Sequence, residues 1–108
     1  MLARQDIIKA VKEFVVSAHE NHIIIERILL FGSYAKGNPH RYSDIDLAVF
    51  SPQFSNSHFE NNKAIQFTKR LPQMQLHLYP VEEYEKNDFV QEIKKHAVDL
   101  TPTIVQER

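Results

Sequence analysis

The longest periodic pattern covers residues 6–20, where apolar side chains recur at helical spacing and charged side chains fill the positions between them. This spacing is typical of an amphipathic helix with one buried face. Asp6, whose carboxylate can accept a hydrogen bond from a free backbone N–H group, is the predicted N-cap. The predicted buried face comprises Ile7, Ile8, Val11, Phe14, Val15 and Ala18.

Three short segments have the pattern of β-strands. Residues 25–31 are largely apolar, residues 44–50 are apolar after an acidic start, and residues 74–79 alternate apolar with polar side chains. Short runs that are rich in branched and aromatic residues are typical of strands. Between the first two strands lies a loop, residues 32–43, in which Ser33–Lys36 are predicted to form one helical turn.

Two further helices are predicted from their capping residues. Ser57 and Glu60 match a capping box, which places a helix over residues 57–70. Asn87 is predicted to cap a last helix that reaches about residue 97. The predicted buried residues are Ala64, Phe67 and Leu71 in the first of these helices, and Phe89, Val90, Ile93 and Ala97 in the second.

Two other segments add little to this pattern. Residues 82–85 predict a polar helical turn, and residues 100–108 fit no single pattern. The predicted order is therefore α-β-β-α-β-α in one domain over residues 1–108. Such an order is typical of a small α/β layer fold.

Composition narrows the possible functions. The chain has 108 residues, 43% hydrophobic and 25% charged, which is a globular balance and excludes a disordered or fibrous protein. Its net charge of −1 predicts no strong binding to nucleic acid. The sequence has no cysteine, which excludes disulfides and thiolate metal sites and favours the cytoplasm. No apolar run approaches the length of a membrane span, and the first residues do not resemble a signal peptide.

An acidic pair begins the second predicted strand. Asp44 and Asp46 are two positions apart, so on a strand both carboxylates project from the same face. Two adjacent carboxylates repel each other unless a cation lies between them. Oxygen ligands without cysteine favour a hard ion, Mg²⁺ or Mn²⁺, and such ions usually also bind the phosphates of a substrate.

A Gly-Ser pair ends the first predicted strand. Gly32 lets the backbone approach a ligand closely, and a helix that starts at Ser33 offers free N–H groups and a hydroxyl to phosphate oxygens. Alone, a Gly-Ser pair after a strand is usually a turn, and two spaced aspartates often begin a solvated strand. Together, they indicate metal-assisted transfer from a nucleoside triphosphate.

The two motifs together resemble the signature of a known superfamily. Residues 31–37 (FGSYAKG) followed by residues 42–49 (YSDIDLAV) resemble the polymerase-β-like nucleotidyltransferases, and most closely their minimal nucleotidyltransferase (MNT) branch. The resemblance implies a mixed β-sheet with helices packed on one face and the active site on the other. It implies ATP as the substrate and Mg²⁺ or Mn²⁺ as the cofactor.

The resemblance also implies roles for individual residues. Gly32 and Ser33 would hold the triphosphate, while Asp44 and Asp46 would bind the metal ions and support catalysis. Two further candidates for nucleotide binding, Lys36 and Ser43, match residues that are common in the family, with less defined roles.

The chain departs from the family at the third metal-binding carboxylate. Members of the family place Asp or Glu on a later strand, where this sequence has Gln75. Gln75 can offer a carbonyl oxygen to a metal ion but cannot act as a base. His77, on the same predicted face, could accept the proton instead. Three hypotheses stay open: catalysis with His77 as the base, slower catalysis with two carboxylates, or loss of catalysis with nucleotide or partner binding retained.

The length of the chain predicts that the acceptor group belongs to another protein. The predicted core leaves no residues for a second domain to hold an acceptor, so a partner chain or a homo-oligomer would complete the site. In the MNT branch the resemblance implies a HEPN-domain partner in a toxin–antitoxin pair, which the MNT chain adenylylates or masks. A small-molecule acceptor is the weaker alternative. Tyr34 and Tyr42 flank the loop and are candidates either for base stacking or for packing of the turn.

Overall fold

The computed structural model describes residues 1–105, with side chains through residue 104. The last three residues of the predicted 1–108 domain, and of the unassigned segment 100–108, lie outside this range. The elements in chain order are α1 (Arg4–Glu20), β1 (Arg27–Phe31), α2 (Ser33–Lys36), β2 (Ile45–Phe50), α3 (His58–Ala64), β3 (Met74–Tyr79), α4 (Glu83–Lys86), α5 (Asp88–Ile93), β4 (Val98–Asp99) and α6 (Thr101–Val105). The three predicted strands, the helical turn at Ser33–Lys36 and the first helix are confirmed.

The sheet is mixed, with strand order β3-β2-β1-β4. β1 pairs antiparallel with β2 and with β4, whereas β2 and β3 run parallel. The predicted α/β class with a small mixed sheet is therefore confirmed. β4 was not predicted, because a strand of two residues is defined by its pairing with Leu29 and Leu30 and has no periodicity of its own.

One face of the sheet carries the main hydrophobic core. The buried face of α1, the inward residues of the strands and Ile104 of α6 form a single cluster there. Strand residues of this cluster include Ile28, Leu30, Ile45, Leu47, Val49, Met74 and Leu78. The apolar face predicted for the first helix is thus the face that packs on the sheet.

The opposite face carries a smaller cluster and the candidate site. Leu29, Ala48 and Phe50 are buried there against Val90 of α5, with side chains of α4 at the margin. Two short helices therefore cover one end of this face, in addition to the helices on the main face. At the other end Asp46 is only half-buried and Gln75 is exposed.

The predicted N-cap of the first helix was wrong. The helix begins at Arg4, with Ala3 as its N-cap, and Asp6 lies within its first turn. The Asp6 carboxylate accepts a hydrogen bond from the Ala3 N–H at 2.9 Å. A side chain at this position can reach back to the capping residue, as in the second half of a capping box, so Asp6 stabilises the helix start without being the cap.

The helix predicted over residues 57–70 is shorter and turns a different face inward. Ser57 caps it as predicted, accepting from the Glu60 N–H at 3.2 Å, but the helix ends at Ala64. Ala64 is exposed, and Phe67 lies beyond this end and is 81% exposed, so the predicted burial of both was wrong. The buried residues are instead Asn61, Ile65 and Thr68.

The last predicted helix is also shorter than expected. Asn87 caps α5 as predicted, accepting from the Val90 N–H at 3.0 Å, and the helix ends at Ile93. Val90 is buried, whereas Phe89 is 45% exposed and lies at the edge of the candidate site. α4 corresponds to the predicted polar turn over residues 82–85. Over the described range, the helices are too short or too polar to cross a membrane.

Candidate active site

The Gly-Ser turn contacts Asp46, the second residue of the acidic pair. Gly32 links β1 to α2 with φ 74° and ψ −156°, a conformation that is essentially restricted to glycine. A Cβ at this position would overlap Oδ2 of Asp46 and lie 3.3 Å from its Cγ. The first N–H groups of α2 have no acceptor within the helix. The turn therefore places hydrogen-bond donors next to a carboxylate, as expected of a site that holds phosphate beside a metal ion.

Asp46 is in an unfavourable place for a negative charge. Burial raises the pKa of the Asp46 carboxyl above its ordinary value, the positive charge of His77 opposes this rise, and the charge of Asp44 adds to it. Within the described residues, neither aspartate forms a salt bridge with Lys or Arg. A bound cation would supply the missing compensation.

Gln75 and His77 lie on the same face of the sheet as Asp46. The parallel register pairs Gln75 with Asp46 and His77 with Ala48. Met74 and Leu78, at the alternate positions, are buried in the main core. The predicted orientation of β3 is confirmed, since its polar residues face the site.

His77 is held by aromatic neighbours that the sequence did not identify as part of the site. Its ring makes an edge contact with Phe31 at 5.1 Å between centroids and stacks on Phe89 at 5.8 Å. Phe31 could have been found, because it directly precedes Gly32 and, in an antiparallel pair, lies opposite Asp46. Phe89 could not, because only tertiary packing brings α5 to this place.

The other predicted nucleotide-binding residues lie around the turn. Ser33 is half-buried at the start of α2, and Lys36 is exposed at its end. Ser43 has a structural contact: its Oγ accepts from the His40 N–H at 2.8 Å, while the Ser43 N–H donates to the His40 carbonyl at 3.0 Å. This pair of bonds closes the turn before Asp44, and the Ser43 hydroxyl proton is still available to a ligand.

The two flanking tyrosines differ in their surroundings. Tyr34 is buried in the main core, and its hydroxyl accepts from the Leu2 N–H at 3.2 Å. It therefore packs beneath the turn. Tyr42 is 81% exposed.

The donor set fits a hard divalent ion that is shared with a substrate. Asp44 is exposed just before β2 begins and Asp46 is half-buried on β2, and both would supply carboxylate oxygens. Gln75, exposed on the neighbouring strand, would add an amide oxygen. Among the described residues, no three His, Cys, Asp or Glu side chains are grouped to hold a metal ion. Mg²⁺ is commonly bound by one or two carboxylates together with substrate phosphates, so two carboxylates are sufficient when a triphosphate supplies the remaining oxygens.

Two solved structures share the fold of this chain. The chain resembles a candidate nucleotidyltransferase from Sulfolobus solfataricus, with 19% identity and a TM-score of 0.66, over 89% of this chain and 80% of that one. It also resembles a chain of a toxin–antitoxin complex with AMP-PNP, with 20% identity and a TM-score of 0.51, over 97% of this chain and 83% of that one. These likenesses show a shared fold. No curated protein sequence matches the chain.

The assignment of the chain to a family rests on its amino-acid sequence. The family model for the nucleotidyltransferase domain matches residues 8–100, which include the turn, the acidic pair and β3. The resemblance noted from the two motifs is thereby confirmed over most of the chain. The chain belongs to the nucleotidyltransferase domain family.

Proposed function

We propose that this protein transfers a nucleoside monophosphate, AMP from Mg²⁺-bound ATP, to a hydroxyl group of a partner protein. The observation that carries the proposal is the contact between the Gly32 backbone and the Asp46 carboxylate. This contact supports the proposal because the turn that would hold the phosphates lies directly beside a carboxylate that would bind the metal ion. Mn²⁺ has the same ligand preferences and is the alternative ion.

In the transfer, the acceptor oxygen forms a bond to the α-phosphorus of ATP as the bond from that phosphorus to the bridging oxygen breaks. Pyrophosphate leaves, and the acceptor hydroxyl loses its proton. A divalent ion bound here would stabilise the charge that develops on the phosphoryl oxygens. Asp44, Asp46 and the Gln75 amide oxygen would hold that ion, and Gly32 and Ser33 would hold the triphosphate.

His77 is the proposed acceptor of the hydroxyl proton. A neutral imidazole can take a proton, whereas the Gln75 amide cannot. His77 lies on the same face of the sheet as Asp46, two positions along β3 from Gln75, the register partner of Asp46. Lys36 and Ser43 are proposed to contact the phosphates from either end of the loop.

The proposed partner is a HEPN-domain protein in a toxin–antitoxin pair. Support comes from the MNT-like motifs and from the fold shared with a chain of a toxin–antitoxin complex with AMP-PNP. The absence of cysteine from the sequence is consistent with a reducing compartment such as the cytoplasm. A second copy of this chain is the alternative source of an acceptor site.

A second candidate function is a subunit that masks its partner without catalysis. The observation that favours it is the pairing of Asp46 with Gln75, a neutral residue where the family has a carboxylate. With one negative charge fewer, the site would hold a metal ion less tightly. Such a subunit would still bind its partner, because masking depends on surface contact and not on the two aspartates.

One experiment separates the two functions. The protein is incubated with ATP labelled at the α-phosphate, Mg²⁺ and the candidate partner, which is the product of the neighbouring gene. The Asp46→Asn variant is incubated in parallel. Transfer predicts label on the partner that the variant reduces about 100-fold or more. Masking predicts no label, and equal neutralisation of the partner by wild type and by an Asp44→Asn, Asp46→Asn double variant. Label that is unaffected by Asp46→Asn would contradict the proposed site.

A further inference from the structure

An aromatic wall, formed by Phe31, His77 and Phe89, borders the acidic pair. The three rings contact one another in every pairwise combination, with centroids 5.1 Å apart for Phe31 and His77, 5.6 Å for Phe31 and Phe89, and 5.8 Å for His77 and Phe89. Phe31 is the register partner of Asp46. The wall therefore begins beside the carboxylate that is proposed to bind the metal ion.

Three separate elements build this wall. Phe31 is on β1 and His77 is on β3, with β2 between them, so their backbones are about 10 Å apart. Their rings meet across β2, where His77 is paired with the small residue Ala48. α5 adds Phe89, and it is anchored to the sheet by the buried neighbour Val90.

Phe89 leaves part of the wall open. Its side chain is 45% exposed although His77 stacks on it and Phe31 contacts it edge-on. A ring that is fixed by neighbours and partly open to solvent is a suitable surface for a flat ligand. Phe59 and Phe67 are more exposed, at 70% and 81%, but have no ring contacts within the described part of the chain.

We propose that the aromatic wall is the stacking site for the base of the bound nucleoside triphosphate. The inference rests on the proposed function, since it needs the triphosphate to be held at Gly32 and the acidic pair. The base then extends from the phosphates, through the ribose, towards Phe89. Every purine and pyrimidine has a π-face, and stacking on the Phe89 ring does not depend on which base is present, so the site selects weakly among bases.

The test compares a ligand that has a base with one that lacks it. Binding of Mg²⁺-ATP, Mg²⁺-GTP and Mg²⁺-tripolyphosphate to the whole protein is measured by calorimetry. In the wild type, we expect ATP and GTP to bind with similar affinity and tripolyphosphate to bind more weakly. Phe89→Ala should weaken ATP binding about tenfold and leave tripolyphosphate unchanged. Phe89→Leu should behave like Phe89→Ala, whereas Phe89→Tyr, which keeps the ring, should bind ATP like the wild type.

A matched control and the contrary outcomes make the test specific. Phe59→Ala removes an exposed ring outside the wall and should change neither the affinity for ATP nor that for tripolyphosphate. Unchanged tripolyphosphate binding also shows that each variant is folded at the site. ATP binding that Phe89→Ala does not weaken would overturn the stacking site and leave the proposed function intact. If transfer to the partner falls while ATP binding stays the same, the wall contacts the acceptor, which also overturns the inference. Wild-type protein that binds neither ATP nor tripolyphosphate contradicts the proposed function itself.

Discussion

Gly32 and Asp46 are in direct contact between β1 and β2, with no space for a side chain at position 32. The contact depends on two properties of glycine: the missing Cβ and the backbone conformation with φ 74° and ψ −156°. The Gly-Ser turn and the Asp46 carboxylate are therefore fixed relative to each other by the pairing of β1 with β2.

Gly32→Ala should damage both the fold and the site. The new Cβ would overlap the Asp46 carboxylate and strain the backbone, at a cost of about 1–3 kcal/mol in the free energy of unfolding. Mg²⁺-ATP binding should be lost. The control is Gly37→Ala, at φ 79° with nothing within 4 Å of the added Cβ, which should cost only about 1 kcal/mol and keep ATP binding. Denaturant unfolding and calorimetry measure the two effects. Equal behaviour of the two variants would contradict the importance of the contact.

Asp46→Asn should make the metal-free protein more stable at neutral pH. The pKa of Asp46 is raised in the folded state by burial, with Asp44 adding to the rise and His77 opposing it. Because a raised acid pKa means that the folded state binds the proton more tightly, the charged carboxylate destabilises the fold above that pKa. The protonated Asp46 carboxyl therefore stabilises the fold. This stabilisation is complete below the ordinary pKa of aspartate and is lost as the pH rises through the pKa of Asp46 in the folded state.

Thermal melting over a range of pH without metal checks this prediction. The variant should melt above the wild type at neutral pH, and the difference should vanish in acid, where the wild-type carboxyl is also protonated. Asp44→Asn should raise the melting temperature by less, since it removes only the contribution of Asp44 to the raised pKa of Asp46. Mg²⁺ with ATP should reverse the order by stabilising the wild type alone. A variant that melts below the metal-free wild type at neutral pH would show that the charge is compensated in some other way.

Gln75→Glu should increase transferase activity. The new carboxylate would lie opposite Asp46 in the β2–β3 register, which adds a third acidic ligand for the metal ion. We expect activity to rise about tenfold and the Mg²⁺ requirement to fall. The metal-free variant should be less stable than the wild type, because three carboxylates repel one another. Gln66→Glu adds the same charge in the turn after α3 and is the control. Unchanged metal affinity would mean that position 75 does not contribute a metal ligand.

Asn61 should contribute to stability because its buried side chain forms two hydrogen bonds with the backbone of Ser55. Its Oδ1 accepts from the Ser55 N–H and its Nδ2 donates to the Ser55 carbonyl, both at 2.8 Å. Asn61→Leu leaves both backbone groups unpaired and should lower the free energy of unfolding by about 1–3 kcal/mol. Asn62→Ala removes an exposed side chain from the next position and should cost much less. Urea unfolding of the two variants measures the difference, and equal losses would contradict the assigned role.

Asn61 also explains why α3 was predicted with the wrong face. Helical periodicity selects apolar residues, so Phe67 was placed inside and Asn61 was not considered. The structure does the reverse, because Asn61 finds two backbone partners and the helix ends before Phe67. Burial of a polar side chain depends on its hydrogen-bond partners, here the backbone of Ser55 before the helix, and the spacing of apolar residues does not reveal them.

The placement of three candidate residues was predictable because Asp46, Gln75 and His77 lie on strands. Alternation along β3 placed Gln75 and His77 on one face, and the register pairs Gln75 with Asp46. Asp44 precedes β2, so strand alternation does not fix its direction. Phe89 was expected in the core and instead borders the site, because the position of α5 over the sheet is set by tertiary packing. β4 was missed for the same reason.

The position of β2 has a consequence for how the protein responds to heat. β2 is hydrogen-bonded to β1 on one side and to β3 on the other, so Asp46 is attached to an interior strand of the sheet. Interior strands usually exchange their amide hydrogens only through global opening. Nucleotide binding should therefore persist up to the unfolding transition and disappear together with the sheet, with no partly folded form in which the carboxylate has already moved.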